Sequence, residues 1–201
     1  MDKKALLAAI AAGLPALAAA GGIDHKVEYD DSGIWHRDVQ VLVEAAAVGT
    51  VVIGALSEGN DTRFGHTLWQ SFDAIAIGAV TAQGMKVAFS RARPTQTDDP
   101  GMWFQGSGHK SFPSGEVMTM TTAVTPLILE YGREYPAVWA LAALPVYDGI
   151  ARVKVNAHWQ TDVLASMAIG TALGVYAHSR PIPISVAVLP HGITVGWRKS
   201  F

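Results

Sequence analysis

Three short stretches of the chain concentrate the side chains that perform anion and acid–base chemistry. Lys86 and Arg93-Pro94 stand seven residues apart, two helical turns, a spacing that puts both cations on one face where a helix runs through them. Ser111-Phe112-Pro113-Ser114-Gly115-Glu116 offers Ser114 as a helix N-cap and Gly115 as a residue that lets a ligand approach the backbone. The free N–H groups of such a helix start attract anions. Arg152 then precedes His158 and Asp162, which at i, i+4 share a helix face, so a carboxylate there fixes the imidazole tautomer and supports its charged form. The Arg152 fork matches the oxygens of a phosphate. Taken singly, each has a plainer explanation: a basic helix C-terminus that complements the dipole, an ordinary capped helix, and a His–Asp pair on a helix surface.

In order, the three read Lys-x6-Arg-Pro, Pro-Ser-Gly and Arg-x5-His-x3-Asp, between residues 86 and 162. This series resembles the signature of the type-2 phosphatidic acid phosphatase superfamily, which also includes bacterial acid phosphatases and vanadium haloperoxidases. The resemblance implies a metal-independent pocket for a phosphoryl group, with no cofactor. Lys86, Arg93 and Arg152 would hold its oxygens, with Ser114 and the Gly115 N–H assisting. His158 would be the nucleophile that forms a phosphohistidine, and Asp162 would orient it. Three cations and a helix N-terminus supply the positioning and charge neutralisation that phosphoryl transfer needs. Vanadate, a mimic of the transition state, is the expected inhibitor.

One position departs from the pattern: Glu116 stands where the family carries the histidine that protonates the leaving group. A neighbouring phosphate dianion raises a carboxyl pKa and nearby cations lower it. Three outcomes are open. Glu116 is a protonated general acid, or the substrate has a good leaving group such as pyrophosphate, or activity is weak or lost. His109 in the adjacent loop reads as a solvated histidine rather than a replacement acid.

The implied activity is hydrolysis of a phosphomonoester or pyrophosphate on a lipid, such as phosphatidic acid, phosphatidylglycerol phosphate or undecaprenyl pyrophosphate. A soluble acid phosphatase, a vanadium haloperoxidase and a non-catalytic anion binder are the alternatives. No HExxH, zinc or GxGxxG pattern supports a metal or dinucleotide, Gly106-Ser107-Gly108 lacks the rest of a P-loop, and Ser114 lacks a nucleophile elbow. A net charge of −2 over 201 residues argues against a nucleic-acid partner. Trp103 and Phe104 lie between the first two clusters and either grip a lipid chain or pack their loop onto the body.

The elements that must position these residues are helical. The half-apolar composition excludes a disordered chain, and the absence of cysteine excludes a disulfide framework. Apolar runs separated by turn residues predict helices over 38–56, 67–89, 115–131, 136–151 and 158–178, with a kink at Pro145. Residues 21–36 read as an extended arm and 95–113 as a long loop. Ile184-Val186-Val188 and Ile193-Val195-Trp197 alternate around Pro190-His191-Gly192, as a β-hairpin does. The expectation is an all-α compact bundle of five to six core helices in a single domain over 21–201, with a hairpin tail over 182–201 that covers the core or pairs two copies as a homodimer.

Glu44, Asp73 and Asp148 interrupt the apolar runs, so the helices are expected to bury one another rather than span a bilayer. Lys3 and Lys4, the apolar stretch from Ala5 to Leu17 and Ala18-Ala19-Ala20 read as a cleaved signal peptide over 1–20. The expected location is the periplasm or envelope, with contact at a membrane surface.

Overall fold

A computed structural model describes residues 22–179 and the backbone of two strands beyond them. The leader expected at 1–20 lies outside the described residues, as do Pro190 and His191. Among the described residues five α-helices make up the body: α1 (Arg37–Glu58), α2 (Arg63–Phe89), α3 (Gly115–Tyr131), α4 (Ala143–Lys154) and α5 (Gln160–His178). A 3₁₀ turn, Gly33–Trp35, leads into α1, and a 3₁₀ segment, Pro136–Ala142, leads into α4. Pro145 therefore lies in the first turn of α4, where its missing N–H costs nothing, rather than at a kink. The backbone of β1 (Ile184–Leu189) pairs antiparallel with that of β2 (Gly192–Trp197), Val186 opposite Val195.

Helix α3 is the axis of the bundle, in contact with α2 on one side and α5 on the other. Its buried stretch Val117–Pro126 carries Thr121, Thr122 and Thr125. Each hydroxyl donates to a carbonyl one turn back, so none of the three hydroxyls is stranded. Small residues bring the neighbours close. A Cβ added at Gly170 or Gly174 of α5 would stand 2.9 Å from Thr121 Cβ or 2.5 Å from Thr125 Cβ, so glycine is what allows this approach. Phe112, Met118, Ala165, Ile169 and Leu173 fill the core around that contact.

Helix α1 departs from the expectation that the helices bury one another. Only Gln40, Val51 and Ala55 of its residues are buried, and Leu42 and Ile53 are more than two-thirds exposed. With a mean hydropathy of 2.0 over its most apolar window, α1 is long and apolar enough to cross a membrane, and Glu44 alone does not prevent that. Three polar residues of α1 form a stripe instead. Arg37, Gln40 and Glu44, spaced three and four apart, share one face, and that face turns to the site described next.

Candidate active site

Helix α2 ends at Ser90, which adopts a left-handed conformation (φ 39°). Arg93 therefore lies past the helix, in an extended segment that pairs with the following loop through Ala92 N–H to Met102 O and Ser111 N–H to Arg91 O. The helix ends at Phe89, as its expected bound at 89 has it, so the shared face that a helix through both Lys86 and Arg93 would give does not form. The two cations converge by another route: Lys86 Nζ and Arg93 Nη2 both donate to the Lys110 carbonyl, at 3.2 and 3.4 Å. Burial, and then the charge of Arg93, pushes the Lys86 ammonium down to about 8.

These two cations line a cavity of about 420 Å³ together with Arg37, Glu44, Gly115, Glu116, Arg152 and His158. Residues from all three clusters meet there, 72 positions apart at the extremes, because α2, α3, α4 and the start of α5 share one end of the bundle. A Cβ at Gly115 would stand 3.9 Å from Lys86 Nζ, so the glycine keeps open the space before the ammonium. Ser114 occupies the N-cap position of α3, but its hydroxyl makes no cap bond and is buried without a partner. Asp148, one turn before Arg152 on α4, is also buried. Burial, reinforced by the charges of Glu116 and Glu44, raises its carboxyl to about 7. The cavity's nitrogen donors are mostly guanidinium and ammonium groups, which hold anions and have no lone pair for a metal.

His158 is 4% exposed, and its Nδ1 lies 2.6 Å from the Ser111 carbonyl. A carbonyl only accepts, so Nδ1 carries the proton and Nε2 keeps the lone pair. Burial, only partly offset by Asp162, lowers the imidazole to about 4 and keeps it neutral. The expected contact with Asp162 is longer than a hydrogen bond, 3.8 Å from Nδ1 to Oδ2. Asp162 instead accepts from Ser111 Oγ at 2.5 Å and from Trp159 N–H at 2.9 Å. It thus fixes the residue whose carbonyl fixes His158.

Asp162 is committed elsewhere because Arg91 holds its other oxygen. Arg91 Nη1 donates to Asp162 Oδ1 and Nη2 donates to Asp24 Oδ2, both at 2.6 Å, and further bonds reach Thr161 Oγ1 and the Pro100 carbonyl. The guanidinium sits 4.3 Å over the Trp103 ring. Trp103 also stacks edge-on against Phe112 and so packs the loop, whereas Phe104 is 71% exposed. Asp24, from the arm, caps α5 through Thr161 N–H at 2.8 Å. Neither Arg91 nor Asp24 stood out in the sequence.

Glu116 faces Arg37. Arg37 Nη1 and Nη2 donate to its two carboxylate oxygens at 2.6 and 2.8 Å, and Arg152 Nε stands 3.5 Å away. Burial would raise this carboxyl, but the Arg37 hydrogen bonds and then the charges of Arg152 and Arg37 hold it below the usual carboxylate range. In this arrangement Glu116 is ionised, which is the state opposite to the one a general acid needs. Gln40 joins the two arginines: its Oε1 accepts from Arg152 Nη1 at 3.0 Å and from Arg37 Nη1 at 3.5 Å, and its Nε2 donates to Trp35 O. Arg37 and Gln40 are further site residues that the motifs did not announce.

The family model of the PAP2 superfamily matches residues 67–181, more than half of the chain. The chain belongs to the PAP2 superfamily. Among proteins similar to this PAP2 chain are lipid A 1-phosphatases of Porphyromonas gingivalis (33% identical over 105 residues) and Rhizobium johnstonii (35% over 104). Each match covers 49% of this chain, but only 21% and 41%, respectively, of the relative. The fold is similar to that of a transmembrane PAP2-type phosphatidylglycerolphosphate phosphatase from Bacillus subtilis, with a TM-score of 0.55 over 85% of both chains at 17% identity.

Proposed function

We propose that this PAP2 protein is a phosphatase that removes the phosphoryl group of a lipid-linked phosphomonoester or pyrophosphate through a phosphohistidine on His158. The observation that carries this reading is a buried, neutral imidazole with its proton fixed on Nδ1, lining a cavity that also holds Lys86, Arg93 and Arg152. The three cations would take the equatorial oxygens, with the Gly115 N–H and the Ser114 hydroxyl assisting at the start of α3. The lone pair of Nε2 attacks phosphorus, and the bond to the leaving oxygen breaks with its electron pair on that oxygen. Water then attacks the phosphorus and the N–P bond returns its pair to Nε2. One water proton stays on the new P–OH group, and the other goes to the phosphate or to solvent.

The lipid class is supported by the relatives' names and by α1, whose exposed Leu42 and Ile53 give an apolar face to a membrane while Arg37 and Gln40 enter the site from its other side. An export leader over 1–20 would set this site on the periplasmic or envelope side.

Phosphate release by the full chain in detergent, over a series of lipid and soluble phosphates, tests the reading. His158→Ala and His158→Gln are expected to lose activity by on the order of 10³-fold or more, as removal of a nucleophile does. Release that survives both substitutions in folded protein refutes His158 as the nucleophile, and no release from any substrate refutes the phosphatase reading. Vanadate is expected to inhibit.

A further inference from the structure

The side chains of the cavity are graded in depth. His158 is 4% exposed and Arg152 8%, Glu116 is 25% exposed and Arg37 43%, so the imidazole is at the floor and the Arg37–Glu116 pair at the mouth. In-line attack from the floor sends the leaving group toward the mouth. A substrate's leaving oxygen therefore meets a guanidinium and a carboxylate already bound to each other.

That carboxylate has no proton to give. Both its oxygens accept from Arg37. The same geometry shows what the Arg37 fork is fit for: it already holds a bidentate oxyanion at the mouth. Through Gln40 Oε1 it is also joined to Arg152, so two cations run from floor to mouth around one amide oxygen. Lys86, Arg93 and Arg152 suffice for one phosphoryl group, and Arg37 is surplus to it.

We propose that Arg37 is the specificity-determining residue of this site: on substrate binding its fork passes from Glu116 to the leaving group, which departs as an unprotonated anion. This rests on the phosphatase reading above. The leaving groups selected are those that are stable as anions and carry oxygens for the fork, and among lipid-linked phosphates a phosphate leaving group meets both conditions. The substrate class is therefore a phosphoanhydride, a diphosphate monoester, ahead of a simple alkyl phosphate. In the step, the anhydride P–O bond breaks, its electron pair stays on the leaving phosphate, the new N–P bond forms on Nε2, and no proton moves.

The test compares kcat/KM for a prenyl diphosphate and the prenyl monophosphate of the same chain, with the full protein in detergent. The wild type is expected to favour the diphosphate at least tenfold. Arg37→Gln is expected to shrink that preference by tenfold or more, and Arg37→Lys, which keeps the charge without the fork, to shrink it partly. Glu116→Gln is expected to keep the preference, because it only frees the fork, whereas loss of a general acid would lower turnover of the monophosphate most. The double variant R37Q/E116Q removes the carboxylate that Arg37→Gln alone leaves without its fork, and it must match Arg37→Gln in preference, which separates specificity from misfolding. The proposal is overturned if Arg37→Gln lowers both substrates equally, if the wild type shows no preference, or if Glu44→Gln at the adjacent carboxyl abolishes the preference while Arg37→Gln does not. Absence of phosphate release from either substrate by the wild type defeats the phosphatase reading itself, and the proposal with it.

Discussion

Replacing Arg91 by Met tests whether one buried cation organises the catalytic end of the bundle. Arg91 is 2% exposed, and the side chains of Asp24 and Asp162 are 1% and 0% exposed, so the substitution leaves two carboxylates facing each other without water. Breaking a buried ion pair by removing one partner costs about 3–5 kcal/mol. For a chain of this size that corresponds to a melting temperature lower by roughly 6–20 °C. The cost has a pH signature. In the wild type, burial would raise the Asp162 carboxyl, but the His158 contact, Arg91 and Ser111 hold it below its usual value. Its contribution to stability is thus fully present above the ordinary carboxylate range and is lost as pH falls through the lowered native pKa. Without Arg91 one of the groups that hold the carboxyl down is lost and Asp24 and Asp162 face each other unscreened, so protonation relieves the variant and its deficit shrinks as the pH is lowered toward 4. Thermal unfolding of both proteins between pH 4 and 7, followed by circular dichroism in one detergent, measures this. A deficit below about 1 kcal/mol, the size expected of a surface pair, or a deficit independent of pH, would refute the assignment of Arg91 as the counter-ion of Asp162.

Two further outcomes are expected from the cavity. Because the Lys86 ammonium titrates at about 8, kcat/KM for phosphate release falls as pH rises through that value, and Lys86→Arg, which stays charged, carries the alkaline limb upward. Gln40→Leu removes the acceptor that holds Arg152 and lowers kcat/KM by about 10- to 100-fold, the worth of one hydrogen bond to a charged group, with little change in the circular dichroism spectrum.

The sequence made some of this legible. The bounds of α3 at Gly115 and Tyr131 are visible from Pro113-Ser114 before them and Gly132 after them, because capping chemistry is local. The residues of the cavity were legible as types, since lysine, arginine and histidine at fixed spacing carry their chemistry with them. Their geometry was not. Lys86 and Arg93 reach a common carbonyl because the helix stops at Phe89, an end that was legible, but no spacing rule shows that the following loop returns the Lys110 carbonyl to both. The partners of Glu116 and Asp162 were illegible for another reason. Arg37 lies 79 residues before Glu116, and Arg91 lies 71 before Asp162, so the pairs exist only after the bundle closes. The one local trace was the spacing of Arg37, Gln40 and Glu44 along an otherwise apolar helix.

The two ionic groups explain each other. Asp24, Arg91 and Asp162 form a buried set in which every carboxylate oxygen of Asp162 is already engaged, by Arg91, Ser111 and the Trp159 N–H. A carboxylate so occupied cannot rotate onto the imidazole and draw a proton to it. The floor of the cavity is therefore left with a neutral His158, pushed further that way by Arg93 and Lys86, and a neutral imidazole is the form the proposed attack on phosphorus requires. In the proposed phosphohistidine the ring would be positive, and its support would be the Ser111 carbonyl at Nδ1, held in place by Asp162 through the Ser111 hydroxyl. Under the proposed mechanism the carboxylate would act at one remove: it is too well satisfied to trap the resting histidine as its cation, and close enough to stabilise a cation formed there. At the mouth the same logic applies to Glu116, whose pairing with Arg37 removes an acid from the site and, under the proposal above, would hold an anion-binding fork in position for a substrate.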